Sequence, residues 1–367
     1  MNAEYWNGRR VLVTGHTGFK GGWLTFWLAG MGAKVAGLGL PPSSEPNLYN
    51  LLGLAGRCQS TIGDINQPGV VAESIALFEP EVIIHMAAQA LVRASYTDPI
   101  GTYETNVMGV VRLLDAARLS PSVRSIVIVT SDKCYENREQ IWGYRENDAM
   151  GGHDPYSSSK GAAEIAAHSM QRSFFQPFVD AGHPARIATV RAGNVIGGGD
   201  WSSDRLVPDI VRGLLGPAGA VHLRNPKAVR PWQHVLEPLA AYLRIAELLD
   251  TGATAGVDDA WNIGPDSSDT RPVLEVAEAM VAALGKGRLV LGTNTGEPHE
   301  ATLLTLDCTK ARTRLGWRPR LMFEDCMCWT ADWYAAWHRG EDMTEFTRGQ
   351  ITQFDKLEAA RHYPRVC

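Results

Sequence analysis

The chain has 367 residues, 45% of them apolar, enough to bury a full core as one large domain or two merged ones. A net charge of −5 without a long basic run gives no footprint for nucleic acid, and no apolar run is long enough to span a bilayer. Six scattered cysteines have neither zinc spacing nor a disulfide pattern, and Met1-Asn2-Ala3-Glu4-Tyr5 does not open a signal peptide, so no metal and a reducing cytoplasm are expected.

Arg9-Arg10-Val11-Leu12-Val13 predicts a short apolar strand, and Thr14-Gly15-His16-Thr17-Gly18-Phe19-Lys20-Gly21 follows at once. Glycines three apart, between a strand and a helix, let backbone approach a pyrophosphate at the helix N-terminus. Gly15, Thr17, Gly18, Phe19, Lys20 and Gly21 are therefore the candidate cofactor cradle. The following helix carries Phe19, Trp23, Trp27 and Met31 at four-residue intervals, a stripe expected to be core packing. The next strand, Lys34 to Leu40, ends Gly37-Leu38-Gly39-Leu40-Pro41. It offers neither an acid for the adenosine ribose nor an arginine for a 2′-phosphate, so NAD and NADP both stay open on this feature. Lys20 leans toward phosphate, whether a 2′-phosphate or the pyrophosphate alone.

Gly63-Asp64-Ile65 closes a third strand, where Asp64 serves either the adenine amine or only a turn. Glu81 to Gln89 is a further strand and its exit. Ala87, Ala88 and Gln89 there keep backbone close to the cofactor, and His85 is expected to be a satisfied core histidine. A helix over Tyr103 to Leu119 carries Asn106, which joins Asp64 and Ile65 in the candidate cofactor set. Val123 to Thr130 delivers Ser131, and Ala185 to Val190 is the strand after the next helix. Such alternation predicts an α/β fold, a Rossmann-like doubly wound parallel sheet with its site at the strand C-terminal ends.

That next helix opens Asp154-Pro155-Tyr156-Ser157-Ser158-Ser159-Lys160, with Asp154 suited to the N-cap and Pro155 to the first turn. Tyr156 and Lys160 then share a face. A phenol titrates near 10, and making it a base near neutrality takes about three units, or roughly 4 kcal/mol. One cation about 4 Å away at moderate effective dielectric supplies about that much. Lys160 is such a cation, and an oxidised nicotinamide ring is another.

With the glycine turn, Ser131 and Tyr156-x-x-x-Lys160 in order, the chain resembles the extended short-chain dehydrogenase/reductase (NAD-dependent epimerase/dehydratase) family over nearly its whole length. Within it, Ser131-Asp-Lys-Cys-Tyr-Glu-Asn137, Arg191-Ala-Gly-Asn-Val-Ile-Gly-Gly-Gly-Asp-Trp201 and Arg230-Pro-Trp-Gln-His-Val235 look like the nucleotide-sugar 4,6-dehydratases that act on CDP-glucose. The resemblance implies loss of water from CDP-glucose to give CDP-4-keto-6-deoxyglucose, a lyase reaction with NAD reduced and reoxidised in each turnover. It implies residues 1–190 as the NAD-binding domain with a return near 230–265, residues 191–345 as an interleaved substrate-binding domain, and 346–367 as a tail. It also implies a homodimer or homotetramer paired through the helices that hold Asn106 and Tyr156.

By the same resemblance Tyr156 takes the proton of the sugar 4-hydroxyl, Lys160 lowers the tyrosine pKa and bonds the nicotinamide ribose, Ser131 bonds the same hydroxyl oxygen, and Tyr156 and Lys160 also count among the cofactor-binding residues. Elimination then needs an acid and a base after the serine. Relatives acting on dTDP-glucose carry Asp-Glu there, whereas this chain has Asp132-Lys133. Asp132 as acid and Lys133 as base is favoured, with the reverse and a plain salt bridge left open. Asn194, Arg205, Arg230 and His299 match substrate-binding positions, a guanidinium fork suiting a diphosphate. The competing readings are a 4-epimerase of the same fold, which needs no elimination pair, and a non-catalytic dinucleotide sensor, which needs neither Tyr156 nor Lys160.

Overall fold

The computed structural model describes residues 1–357 other than 177, 181, 218, 224, 267, 268, 286 and 293–302. The first half supplies strands β1 (Arg10–Thr14), β2 (Lys34–Gly39), β3 (Gln59–Ile62), β4 (Val82–His85), β5 (Ser125–Val129) and β6 (Arg186–Ala192). Short strands β7 (Val195–Ile196), β8 (Ala220–Leu223), β9 (Val229–Pro231) and β10 (Gln233–His234) follow, then β11 (Ala260–Ile263), β12 (Thr270–Pro272) and β13 (Arg288–Leu291). Among the described residues β11, β6, β5, β4, β1, β2 and β3 form, in that order, one parallel sheet. The order reverses between β1 and β4, and a reversal of this kind opens a crevice at the strand C-terminal ends.

Strand side chains alternate between faces, so each strand feeds two cores. Val11, Val13, Val82, Ile84, Val127 and Val129 pack with Trp23 and Trp27 of the Phe19–Gly30 helix on one face. Leu12, Ile83, Ile126 and Ile128 pack with Ala163 and Ala167 of the Pro155–Phe174 helix on the other. The tryptophan stripe is core packing, as its spacing suggests, and Phe354 of the Met343–Leu357 helix meets Trp27 edge-on. The remaining strands pair two by two beyond β6: β7 with β10, β8 with β13, and β9 with β12. Trp261 and Asn262 do return to the main sheet, beside Val190 and Arg191. No helix among the described residues is long and apolar enough to cross a membrane.

The Leu236–Thr251 helix lies buried against this sheet and brings one carboxylate into the core. Glu237 Oε1 accepts from the backbone N–H of Arg320 and of Leu321, both at 2.7 Å, while Oε2 has no partner. Burial pushes its pKa from the usual 4.5 up to about 7. A raised folded pKa means stability that is fully present below about 4.5 and lost as pH rises through about 7. The ceiling of that loss is about 3 kcal/mol. Glu237→Gln keeps the acceptor and removes the charge. Its Tm is expected to exceed that of the parent chain at pH 8 and to match it near pH 4, measured by calorimetry.

Candidate active site

The cofactor cradle is built from backbone. Gly15, at φ +75, sits where a Cβ would lie 2.9 Å from the Ala87 nitrogen, and a Cβ on Gly21 would lie 2.0 Å from the Gly15 carbonyl oxygen. The turns after β1 and β4 thus meet at the sheet's reversal point. The Phe19–Gly30 helix starts there with Gly18 as N-cap and no side chain capping it. Its first N–H groups are available to an anion, so the residues present fit a dinucleotide pyrophosphate. Thr17 Oγ1 donates to the Leu40 carbonyl at 2.7 Å and ties the turn to the end of β2.

Lys20 is the second residue of the Phe19–Gly30 helix, and its charge interacts with Lys160, Arg205 and Asp132. Burial first, then Lys160 and Arg205, push its pKa down to about 7. Asn106 is buried and fully engaged: its Oδ1 accepts from Gln89 N at 2.9 Å, and its Nδ2 donates to the Gln89 carbonyl at 3.0 Å and to Ser159 Oγ at 2.8 Å. It therefore fastens the Gln89 backbone to the Pro155–Phe174 helix. Asp64 Oδ1 accepts from Asn66 N at 2.9 Å, a turn bond, and Ile65 is buried beside Leu38 and Val71. His85 is the core histidine expected, joined to Thr14 Oγ1 at 2.8 Å and pushed by burial down to about 3.

Ser131, Asp132, Lys133, Tyr156 and Lys160 line one cavity of about 430 Å³. Asp154 caps the Pro155–Phe174 helix through Ser157 N at 2.9 Å, as its position in the sequence predicts, and this turns Tyr156 and Lys160 to the same side. Ser131 Oγ donates to Asp132 Oδ1 at 3.0 Å. Asp132 is 2% exposed and its Oδ2 has no hydrogen-bond partner. That carboxyl presses on Gly193, where a Cβ would fall 1.9 Å from Oδ2, so the glycine after β6 is what admits the acid. Lys133 is half-buried at the wall.

Among the protein's own groups, the balance on the tyrosine is upward. Burial is the largest influence on Tyr156 and raises its pKa. A hydrogen bond to Ser131 and the Arg205 charge oppose the rise, and Lys160 is not among the leading influences. Lys160 itself is pushed by burial down to about 8, against the field of Glu164. Desolvation of this buried helix face outweighs a charge one turn away.

Asn194, Arg205 and Arg230 line the same cavity. Arg230 is 3% exposed on β9, and its Nη1 donates to its neighbour Val229's carbonyl at 2.8 Å. Arg205 Nη1 lies 3.4 Å from Asp200 Oδ2. His299 lies outside the described residues. Three non-glycine residues at this wall hold positive φ, Glu139 at 50°, Asn194 at 38° and Asp204 at 58°, and such strain concentrates where a ligand is gripped.

Sequence reasoning missed Arg93, Asp204, Glu164 and the role of Arg191. The signal for Glu164 was its place one further turn along the Tyr156 and Lys160 face. Arg93, on the Val92–Thr97 helix, reaches Asp204 across the cavity mouth at 3.9 Å. The pair is exposed, worth at most about 1 kcal/mol. Asp204→Asn, which tolerates the left-handed backbone, is expected to raise KM for the substrate no more than about fivefold and to leave kcat within twofold. Steady-state kinetics at low and high salt checks this, the difference shrinking as salt rises.

A family model described as GDP-mannose 4,6 dehydratase matches residues 12–329. CDP-glucose 4,6-dehydratase of Salmonella typhimurium is 47% identical over 354 residues, covering 96% of this chain and 98% of its own. The chain belongs to the GDP-mannose 4,6 dehydratase family. A dTDP-glucose 4,6-dehydratase of Streptomyces niveus is 28% identical over 89% of this family member and 92% of its own length. Among solved structures, UDP-glucose 4-epimerase of Thermotoga maritima with UDP-glucose superposes with TM-score 0.76 at 21% identity, covering 89% of this chain and 98% of its own. The dTDP-glucose 4,6-dehydratase of Bacillus anthracis in complex with NAD gives 0.74 at 22%, covering 93% and 100%. These two likenesses establish the Rossmann-like α/β fold of the family member.

Proposed function

We propose that this chain is a hydro-lyase, a nucleotide-sugar 4,6-dehydratase that converts CDP-glucose to CDP-4-keto-6-deoxyglucose. The observation that carries this reading is Asp132. It is a buried carboxyl with one partnerless oxygen, in the same cavity as Ser131, Tyr156 and Lys160. A 4-epimerase has no use for it, and a sensor has no use for the tyrosine and lysine. The choice of CDP-glucose is supported by the 47% identity with the Salmonella enzyme.

Gly15, Gly18 and Gly21 with the start of the Phe19–Gly30 helix hold the pyrophosphate of NAD, and Ala87 and Ala88 flank it. When bound, NAD supplies the hydride acceptor and donor and a positive ring charge beside the phenol. Tyr156 removes the proton of the 4-hydroxyl, and Ser131 holds that oxygen. Asp132 delivers a proton to the departing 6-hydroxyl, and Lys133 takes the proton from carbon 5. Arg205 and Arg230 hold the diphosphate. Ile100 and Ile165, 78% and 62% exposed on the helices near Asn106 and Tyr156, support a second copy packing there.

Incubation with CDP-glucose and NAD, read as the near-ultraviolet 4-keto band in base and by product mass, tests the reading. Parallel assays with the dTDP, UDP and GDP sugars test the base. A 4-epimer that keeps its 6-hydroxyl, or no turnover of any of them, overturns it.

A further inference from the structure

Glu164 lies one helical turn beyond Lys160 and is 2% exposed. Its carboxylate is held by three donors from the ends of two strands: Thr130 Oγ1, Thr189 Oγ1 at 2.7 Å and Arg191 Nη2 at 2.8 Å. Thr130 immediately precedes Ser131. Arg191 precedes Gly193 by two residues, and Asp132 packs on that glycine. Arg191 Nη1 continues to Tyr135 Oη at 2.7 Å and to the Glu146 carbonyl at 2.9 Å, and Tyr135 Oη donates to Asn262 Oδ1 at 2.7 Å. One buried carboxylate thus joins the catalytic helix to β5, β6 and, through Arg191, to β11.

We infer that Glu164 is a positioning residue for the oxidation step: it clamps the Tyr156 and Lys160 face of its helix onto the strand ends that carry Ser131 and Asp132, and it is the anion that holds Lys160 as an ammonium. The groups around Lys160 leave that task to Glu164. His85 on β4 is neutral, pushed down to about 3, and the Cys134 thiol in the turn after β5 is pushed up by burial. Lys20, from the Phe19–Gly30 helix, has the same sign as Lys160 and opposes its charge. Tyr156, on the same helix, is held protonated by burial. Arg191 on β6 is spent on Glu164 itself. On the helices packed against the far side, Glu104 pairs with Arg112, Asp115 with Arg118, and Asp98 caps Gly101. After burial, Glu164 is the largest influence on Lys160, and it favours the charged form.

The test is Glu164→Gln, which keeps the shape and removes the charge. Competitive acetylation against pH, read by peptide mass spectrometry on the protein without substrate, titrates Lys160 directly. The apparent pKa of Lys160 is expected to fall by about one unit, and the pH at which single-turnover sugar oxidation stops climbing to move down with it, leaving about a tenfold lower rate above that pH. Removing one member of a buried pair strands the other and threatens folding. Glu164→Gln with Arg191→Met removes both charges, and Arg191 is not among the leading influences on Lys160, so the same shift is expected. A Lys160 titration unchanged in a folded variant overturns the inference, whatever happens to Tm. Only the kinetic arm rests on the dehydratase reading. If the unsubstituted chain turns over no nucleotide sugar, that reading fails while the acetylation arm still decides Glu164.

Discussion

Tyr156→Phe is expected to lower kcat for sugar oxidation by about a hundred- to ten-thousandfold, the range of a lost acid-base group, while the chain keeps its fold and its cofactor affinity. The substitution removes one oxygen from a buried helix face and leaves the aromatic packing in place. The cofactor cradle is unaffected, because it is made of the Gly15 and Gly21 backbone and the uncapped helix start. Rapid-mixing measurement of reduced-nicotinamide absorbance with CDP-glucose isolates the step. The pH dependence follows from the directions of the two shifts. Burial raises Tyr156, so the base form is scarce at low pH and the rate climbs as pH rises. Lys160 loses its charge as pH rises through about 8, and above that its loss offsets the gain in phenolate. A rate that climbs up to about pH 8 and levels off beyond it is expected, and Tyr156→Phe abolishes the climb. Oxidation at the native rate in the phenylalanine variant would remove Tyr156 as the base.

Lys133→Met is expected to leave that first oxidation within about threefold and to cut 6-deoxy product by about a hundredfold or more. Oxidation and elimination use different groups in the same cavity, so they separate by substitution. Lys133 is half-buried at the cavity wall, whereas Asp132 lines the same cavity nearly fully buried, packed on Gly193, with one oxygen that has no hydrogen-bond partner. An oxygen in that setting suits proton delivery to a leaving group, and the lysine at the wall suits removal of the carbon 5 proton. Running the reaction in deuterium oxide reports the second event by label at carbon 5. In Lys133→Met the label is expected to vanish. In Asp132→Asn it is expected to persist while product is lost. Unimpaired label in Lys133→Met would reverse the two roles.

Much of the fold was legible because it follows from short-range rules. The alternation of strand and helix, the Asp154 cap, the glycine turn after β1 and the common face of Tyr156 and Lys160 each depend on residues within about one turn of one another. What local rules do not carry is the company a group keeps. Lys20 follows the glycine turn in sequence, yet its charge also works among groups delivered by β5 and the Pro155–Phe174 helix. Asn106 is held by Gln89 and Ser159. The phenol was expected to be pulled down by Lys160 and a nicotinamide ring, and among the protein's own influences burial is the largest and raises it.

The chain itself determined which groups are present, the order in which strands deliver them, and the family to which the protein belongs. Tertiary structure alone decided which of them share a cavity, as Arg93 does with Asp204, and which stand behind it, as Glu164 does with Thr130, Thr189 and Arg191. It also set the directions in which burial and charge push Tyr156 and Lys160. Desolvation and Coulomb terms depend on what distant segments pack against a group, and no local pattern of residues carries that information.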